Sequence, residues 1–420
     1  MRTRLPPVSG PDRAKRLGFN FSLIRAVSVN LIPILLICSV LVSTAPAGAA
    51  DADERISAFV MAHSQWIWGN PFRILFMRDP LFQYGLYPLP PFISMADKSK
   101  LDRVYFPRTR EILVDNYDLM VFHDIRTAFT ARQVNDLDYA FREAGMTAMC
   151  GLCLGWDYAW EPTILADLLP ITEHGSVSPY FRGYSVSFVR DRDPVFLDFL
   201  DLGIEKVIGT QYCDMKAEQA ATVWGVIQPA GIPWMVSWRP GGSDAGMQWV
   251  VSHTFGGWWA EEENPYSYDV ATNMIFYSLD MPLIDDIHAR REARRMFANL
   301  QTQKSIILSM MEWAESFGAR VTSLQDRLTL LEADIDSATG SYIQQDYSEA
   351  MASLESLSEA VREISDDAVR LKDEALFWVY ASEWMVVTST AIIAGTFVWS
   401  LMIRKRMYRP SGVTRLRRWQ

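Results

Sequence analysis

Hydrophobic positions follow three different rhythms along this chain. Between 70 and 285, short apolar runs alternate with mixed polar stretches. The runs are Arg73–Met77 (RILFM), Tyr117–Phe122 (YDLMVF), Met146–Cys150 (MTAMC), Lys206–Ile208, Trp234–Trp238 (WMVSW) and Gln248–Ser252 (QWVVS). Apolar runs this short read as buried strands. The segments between them have helical spacing; one is Ala131–Ala144, which opens after Thr130, a good N-cap residue. Strand–helix alternation predicts an α/β domain with a mostly parallel sheet covered on both faces.

From 295 to 376 the period changes. Phe317, Val321, Leu324, Leu328, Leu331 and Ile335 form one series with alternating steps of 4 and 3; Leu354, Leu357, Val361, Ile364, Ala368 and Leu371 form a second. Both are heptad seams. Ala338-Thr339-Gly340-Ser341 separates them, which predicts an antiparallel coiled-coil hairpin. We expect a stalk through which two copies of the chain associate.

Two stretches lose polarity altogether. Residues 26–46 follow a basic segment and run into Ala47-Gly48-Ala49-Ala50. That is the form of a secretory signal with a small-residue cleavage site, or of a retained N-terminal anchor. Trp384–Ile403 is 20 residues without a charge. Phe377, Trp378, Tyr380 and Trp384 form an aromatic belt at one end, Phe397 and Trp399 lie near the other, and Arg404-Lys405-Arg406 follow at once. This predicts one transmembrane helix, with the tail in the cytoplasm and the preceding domain outside the cell. The expected organisation is a signal or anchor at 1–50, an α/β ectodomain at 51–290, the stalk at 295–376, the span at 377–403 and a basic tail at 404–420.

Charge sharpens that picture. Residues 1–25 hold six Lys/Arg and one acid, and 404–420 hold seven Lys/Arg and no acid. Removing both ends from the totals of 40 basic and 50 acidic residues leaves 27 and 49 in 26–403. A body at −22 argues against nucleic acid as a partner. The basic tail suits anionic lipid heads. Cysteines are few: Cys38 lies in the N-terminal segment, and Cys150, Cys153 and Cys213 in the ectodomain, an odd number. Cys150 and Cys153 form a C-x-x-C, but no second C-x-x-C or His pair at ligand spacing accompanies it, so no metal is expected.

In a parallel sheet, ligands bind beyond the carboxyl ends of the strands. After the predicted strands come Asp79, His123-Asp124, Gly151-Leu152-Cys153 and His253. Trp156, Trp160, Trp258 and Trp259 also follow strand ends, in a region that further holds Trp224, Trp234, Trp238 and Trp249. Asp79, His123, Asp124, Trp156 and Trp258 are therefore the expected ligand rim. Its aromatic side chains suit a carbohydrate or another small flat ligand.

Several stretches carry a family resemblance: Tyr117–Asp124 (YDLMVFHD), Phe129–Gln133 (FTARQ), Phe141–Met146 (FREAGM), Ala166–Pro170 (ADLLP), and the G-x-C-x-G of Gly151–Gly155. From Arg73 to about Asp280, half the chain, this resembles the class I glutamine amidotransferase-like, or ThuA-like, family. The tail resembles the anchors of archaeal membrane proteins that carry such ectodomains. The likeness implies a flavodoxin-like sheet, with Cys153 at the nucleophile position and His253 as its base. The family's catalytic His stands in an H-P-E; here Thr254 and Phe255 follow His253, and Glu261 is the nearest downstream acid. No synthase domain is expected after the span to use ammonia. The expectation is thus a membrane-anchored extracellular binding or scaffold protein with a non-catalytic head and no cofactor. The bilayer, a second copy and a small ligand are its expected partners. An extracellular cysteine hydrolase or amidase using Cys153 and His253 is one alternative, and a structural envelope protein another.

Overall fold

The computed structural model describes residues 55–407, apart from 66, 153–155, 178–183, 191–192, 205–206, 210 and 254. The N-terminal signal or anchor with Cys38, the candidate nucleophile Cys153, and the tail beyond 407 lie outside the described residues.

The first strand is β1 (Ile56–His63), buried along its whole length. A strand covered on both faces reads as a near-continuous apolar run, as this one does. Next comes α1 (Pro71–Arg78), which corrects an expectation, since RILFM was expected to be a strand. Asn70 caps the helix through its side chain, Pro71 occupies the first turn, and Phe72, Leu75 and Phe76 form one buried stripe. The five-residue apolar run is thus the inner face of a helix plus Met77, which is exposed.

Then follow β2 (Phe82–Leu89), α2 (Met95–Tyr105), α3 (Arg110–Asn116) and β3 (Leu119–His123). After these, α4 (Ala131–Arg142) begins with a full capping box between Thr130 and Gln133, as the sequence predicts for its start. The chain continues through β4 (Thr147–Gly151), β5 (Ile171–Val177), β6 (Tyr184–Phe188), α5 (Leu197–Asp201), β7 (Ile208–Gly209), β8 (Cys213–Ala217), β9 (Thr222–Gln228), β10 (Ile232–Trp238) and β11 (Gln248–Val251). The helices α6 (Ser267–Ser278), α7 (Ile287–Ser316), α8 (Thr322–Ile343) and α9 (Tyr347–Met407) complete it.

Among the described residues the main sheet has nine strands in the order β2-β1-β3-β4-β11-β10-β9-β6-β7. Neighbours from β2 to β11 pair in parallel, and those from β11 to β7 antiparallel. The architecture is therefore α/β with a mixed sheet. Alternate side chains feed two cores. Ala58, Val60, Leu119, Val121 and Trp249 face α1, α6 and α7. Phe59, Met61, Met120, Phe122 and Val250 face α3 and α4. Strands β5 and β8 form a separate ribbon, tied to the main sheet where the Cys213 amide donates to Ser252 O at 2.7 Å.

The helical region has three members rather than the expected two. α9 packs against both α7 and α8. Ile307 and Met311 of α7 join Leu324 and Leu328 of α8 and Leu354, Leu357, Val361, Ile364 and Ala368 of α9 in one apolar interior. Phe317 is not part of a seam: it caps α7 and is 48% exposed. Nor does the chain turn at 338–341. Helix α8 runs through them to Ile343, with Ala338 and Thr339 buried, and the reversal falls at 344–346. Tertiary packing here overrides the low helix propensity of Thr-Gly-Ser.

One cluster fastens the helices to the sheet domain. Arg290 Nη1 donates to Asp269 Oδ1 (2.5 Å) and Nη2 to Thr272 Oγ1 (3.1 Å). Arg294 Nη2 donates to Asp269 Oδ2 at 2.9 Å, and Tyr342 Oη to Asp79 Oδ2 at 3.1 Å. Both arginines are about as buried as the core. Burial opposes the charge on Arg290, but Asp79, Tyr342 and Asp269 more than offset it, so its pKa lies above the ordinary value.

α9 is a single helix of 61 residues, about 90 Å long at 1.5 Å per residue. Its first half is packed; from Phe377 onward its large apolar side chains, Trp384 and Ile393 among them, are exposed. Among the described residues it is the one helix long and apolar enough to cross a membrane.

Candidate functional site at the carboxyl edge of the sheet

Strand β1 lies between β2 and β3, so the chain leaves β1 toward one side for β2 and crosses to the other side for β3. Such a reversal opens a crevice at the carboxyl ends. The register puts Ala62 beside His123, His123 beside Gly151, and Gly151 beside Val251 along that edge. Four of the five histidines gather there. His63 ends β1, His123 ends β3, His253 follows β11, and His174 comes from the β5–β8 ribbon. They stand close enough for charge on His253 and His63 to be felt at His123, and charge on His253 at His174.

Burial sets the protonation of three of them. It pulls His123 down to about 3, helped by His253, His63 and Arg126. It pulls His174 down to about 4, helped by His253. His63 is lowered by burial and by Arg126, against the pull of Asp124. At neutral pH the imidazoles of His123 and His174 are uncharged. Each of these two then carries one N–H and one lone pair, but a group whose pKa lies that low is a poor general base near pH 7.

The remaining groups at this edge are polar and enclosed. Asp124 takes φ +52, its amide donates to Gly151 O at 2.8 Å, and Arg126 Nε donates to its Oδ2 at 2.7 Å. Among the described residues His123 Nδ1, Asp124 Oδ1 and His174 Nε2 are buried without a hydrogen-bond partner. Trp156 stacks on His174 with centroids 5.9 Å apart.

Beside His253 opens a cleft of about 280 Å³ walled by Trp234, Trp258, Trp259 and Tyr184, with Glu263 among its polar residues. Trp258 stands edge-on to both neighbours, at 88° to Trp234 and 87° to Trp259. Tyr184 lies across Gly209, its cross-strand partner; a Cβ there would collide with the ring, so only glycine lets the tyrosine lie flat. Burial pushes the Tyr184 hydroxyl up to about 12.

His123, Asp124 and Trp156 sit at the carboxyl edge, and Trp258 with His253 lines the cleft. Asp79 does not join them. Because Arg73–Met77 is helical, the chain has already turned back, and Asp79 precedes the amino end of β2, where its carboxylate is held by Arg290, Tyr342 and the Leu81 amide. Trp160, Trp224 and Trp249 are core residues, and Trp156, Trp234, Trp258 and Trp259 are also largely buried, with only part of each ring at the edge or cleft. Cys150 is a free, fully buried thiol on β4, and burial raises its pKa well above the ordinary range. His63 and His174 were not among the expected residues. His63 carried the same signal as His123, an apolar run ending in histidine (ISAFVMAH), on a strand that the sequence pattern did not single out. His174 carried no such signal. Among the described residues no group of three or more His, Cys, Asp or Glu is arranged to hold a metal ion.

No family model matches the chain, and no curated protein does. Among solved structures it is similar to a cytoplasmic protein from Salmonella typhimurium, at 14% identity and a TM-score of 0.39, covering 53% of this chain and 98% of that one. It is also similar to a cytoplasmic protein from Salmonella typhimurium LT2, at 11% identity and 0.38, covering 53% and 99%.

Proposed function

We propose that this is a membrane-anchored ligand-binding protein whose α/β head is held outside the cell. The observation that carries the reading is the continuity of α9. Its first half packs into the helical bundle and its second half, unbroken, is an exposed apolar stretch ending in Arg404-Lys405-Arg406. Lipid is the solvent in which such a surface is stable. The basic end favours the cytoplasmic side, which leaves the head outside. We read the strand order β2-β1-β3-β4-β11 as flavodoxin-like and the head as amidotransferase-like. The bundle seams we read as coiled-coil packing, through which copies of the chain associate.

Binding is favoured because the cleft presents aromatic walls. One observation supports the cysteine-hydrolase reading: His253 follows β11, which pairs with β4, and Cys153 lies two residues beyond the end of β4. Alkaline carbonate extraction and protease shaving of intact cells test the anchor and its orientation on the full chain. We expect retention in the membrane and external cleavage of the head. Release by carbonate, or a head protected in intact cells and cleaved only after lysis, would sink the proposal.

A further inference from the structure

We infer that the cleft beside His253 is a cage for an organic cation of the quaternary-ammonium or methylated-amine class. The inference rests on the reading of the head as a ligand-binding domain and names its ligand class. Ring faces of tryptophan and tyrosine carry the negative part of a quadrupole, and a cation placed over several of them is attracted without a hydrogen bond. Trp234, Trp258, Trp259 and Tyr184 supply four such rings around one space. The Trp258 centroid lies 5.3 Å from Trp234 and 4.9 Å from Trp259, near perpendicular to both, and makes a corner against those two rings, which stack on each other at 6.0 Å. A corner fits a rounded methylated head.

Charge selects the same class. Glu263 is exposed at the cleft and makes no ion pair among the described residues, whereas its neighbour Glu261 is engaged by Arg294 at 3.3 Å. None of the described lining residues is Lys or Arg. The acidic body adds a long-range field that concentrates cations. The cleft, about 280 Å³, has room for a trimethylammonium head and a short tail.

The test uses the full chain in lipid nanodiscs, with tryptophan fluorescence and calorimetry as readouts. The probes are choline, its neutral isostere 3,3-dimethylbutanol, and methyl glucoside. We expect choline to bind at least about tenfold more tightly than the isostere, the gap a desolvated cation–π cage produces. Glu263→Gln should weaken choline about tenfold. Gly256 lines the cleft in extended backbone, and a Cβ added to it would meet nothing within 4 Å. Gly256→Phe should therefore fill the space and abolish binding with an unchanged melting temperature. Equal binding of choline and isostere overturns the cation class. Binding of methyl glucoside without choline overturns the class but leaves the binding head standing. Binding of none of the three overturns the cage and removes the cleft from the wider proposal.

Discussion

Arg290 Nη2 lies 2.5 Å from Asp79 Oδ2, although 211 residues separate them in the chain. The pair joins the first helix of the bundle to the turn that opens β2. Both side chains are out of water, so neither charge has an alternative partner in solvent. Removing one member of such a pair is destabilising: without Asp79, the buried Arg290 keeps Asp269 as its carboxylate partner but loses the second charge that offsets its desolvation. We expect Asp79→Ala to lower unfolding free energy by about 3 kcal/mol. Asp79→Leu with Arg290→Met should cost less than the two single changes added together. Denaturant unfolding of the solubilised chain measures this, and strict additivity would show that the contact does not couple the two parts.

Acid should loosen the carboxyl edge. His123 and His174 have folded pKa values of about 3 and 4, below the ordinary 6.5. Above pH 6.5 the histidines are neutral in both folded and unfolded chains, and no penalty arises. Below it the unfolded chain takes up protons that the folded chain refuses. Stability therefore falls from about pH 6.5 down through the folded values, by about 1.4 kcal/mol per pH unit for each such histidine. His123→Gln should make the fall between pH 6.5 and 4.5 shallower. A stability that does not change across that range in the unsubstituted protein would contradict the burial of these imidazoles.

The bundle gives a contrast between two seam positions. Leu357 is 4% exposed in the interior of the three helices, whereas Phe317 is 48% exposed at the end of α7. Leu357→Ala should cost about 2–5 kcal/mol, and Phe317→Ala less than about 1 kcal/mol. A two-helix hairpin in the heptad register would give comparable losses at both. Thermal melts of the two variants decide between the arrangements.

Legibility from sequence followed local information. LMVFH, TAMCG and QWVV were recognisable because each is an apolar run flanked by turn residues, and Thr130 as an N-cap residue marked the start of α4. RILFM was not, because a five-residue run is too short to separate period 2 from period 3.6; the Asn70-Pro71 pair was the better guide. The third bundle helix was hidden by its polarity. Arg290 and Arg294 look like solvent-facing charges until Asp79 and Asp269 are brought to them by the fold. The same holds for the site. His123 and His253 could be placed at strand ends, but the arrival of His174 from the β5–β8 ribbon depends on long-range pairing that no local pattern encodes.

Thiol reactivity separates binding from hydrolysis. Cys150 is fully enclosed and its pKa is raised well above the ordinary range by burial, so in the native chain it should resist iodoacetamide even at pH 9 and react only on unfolding. That makes it an internal control. Cys153, two residues beyond β4, is the thiol in question. If labelling of Cys153 is slow and rises only above about pH 8, the thiol has an ordinary pKa and the binding reading holds. If it stays fast down to about pH 6, a stabilised thiolate is present. The hydrolase reading then gains, and His253→Ala should slow labelling at pH 6 while Cys153→Ala abolishes any amide or ester hydrolysis. Peptide mass spectrometry of the labelled full chain reads both thiols in one experiment.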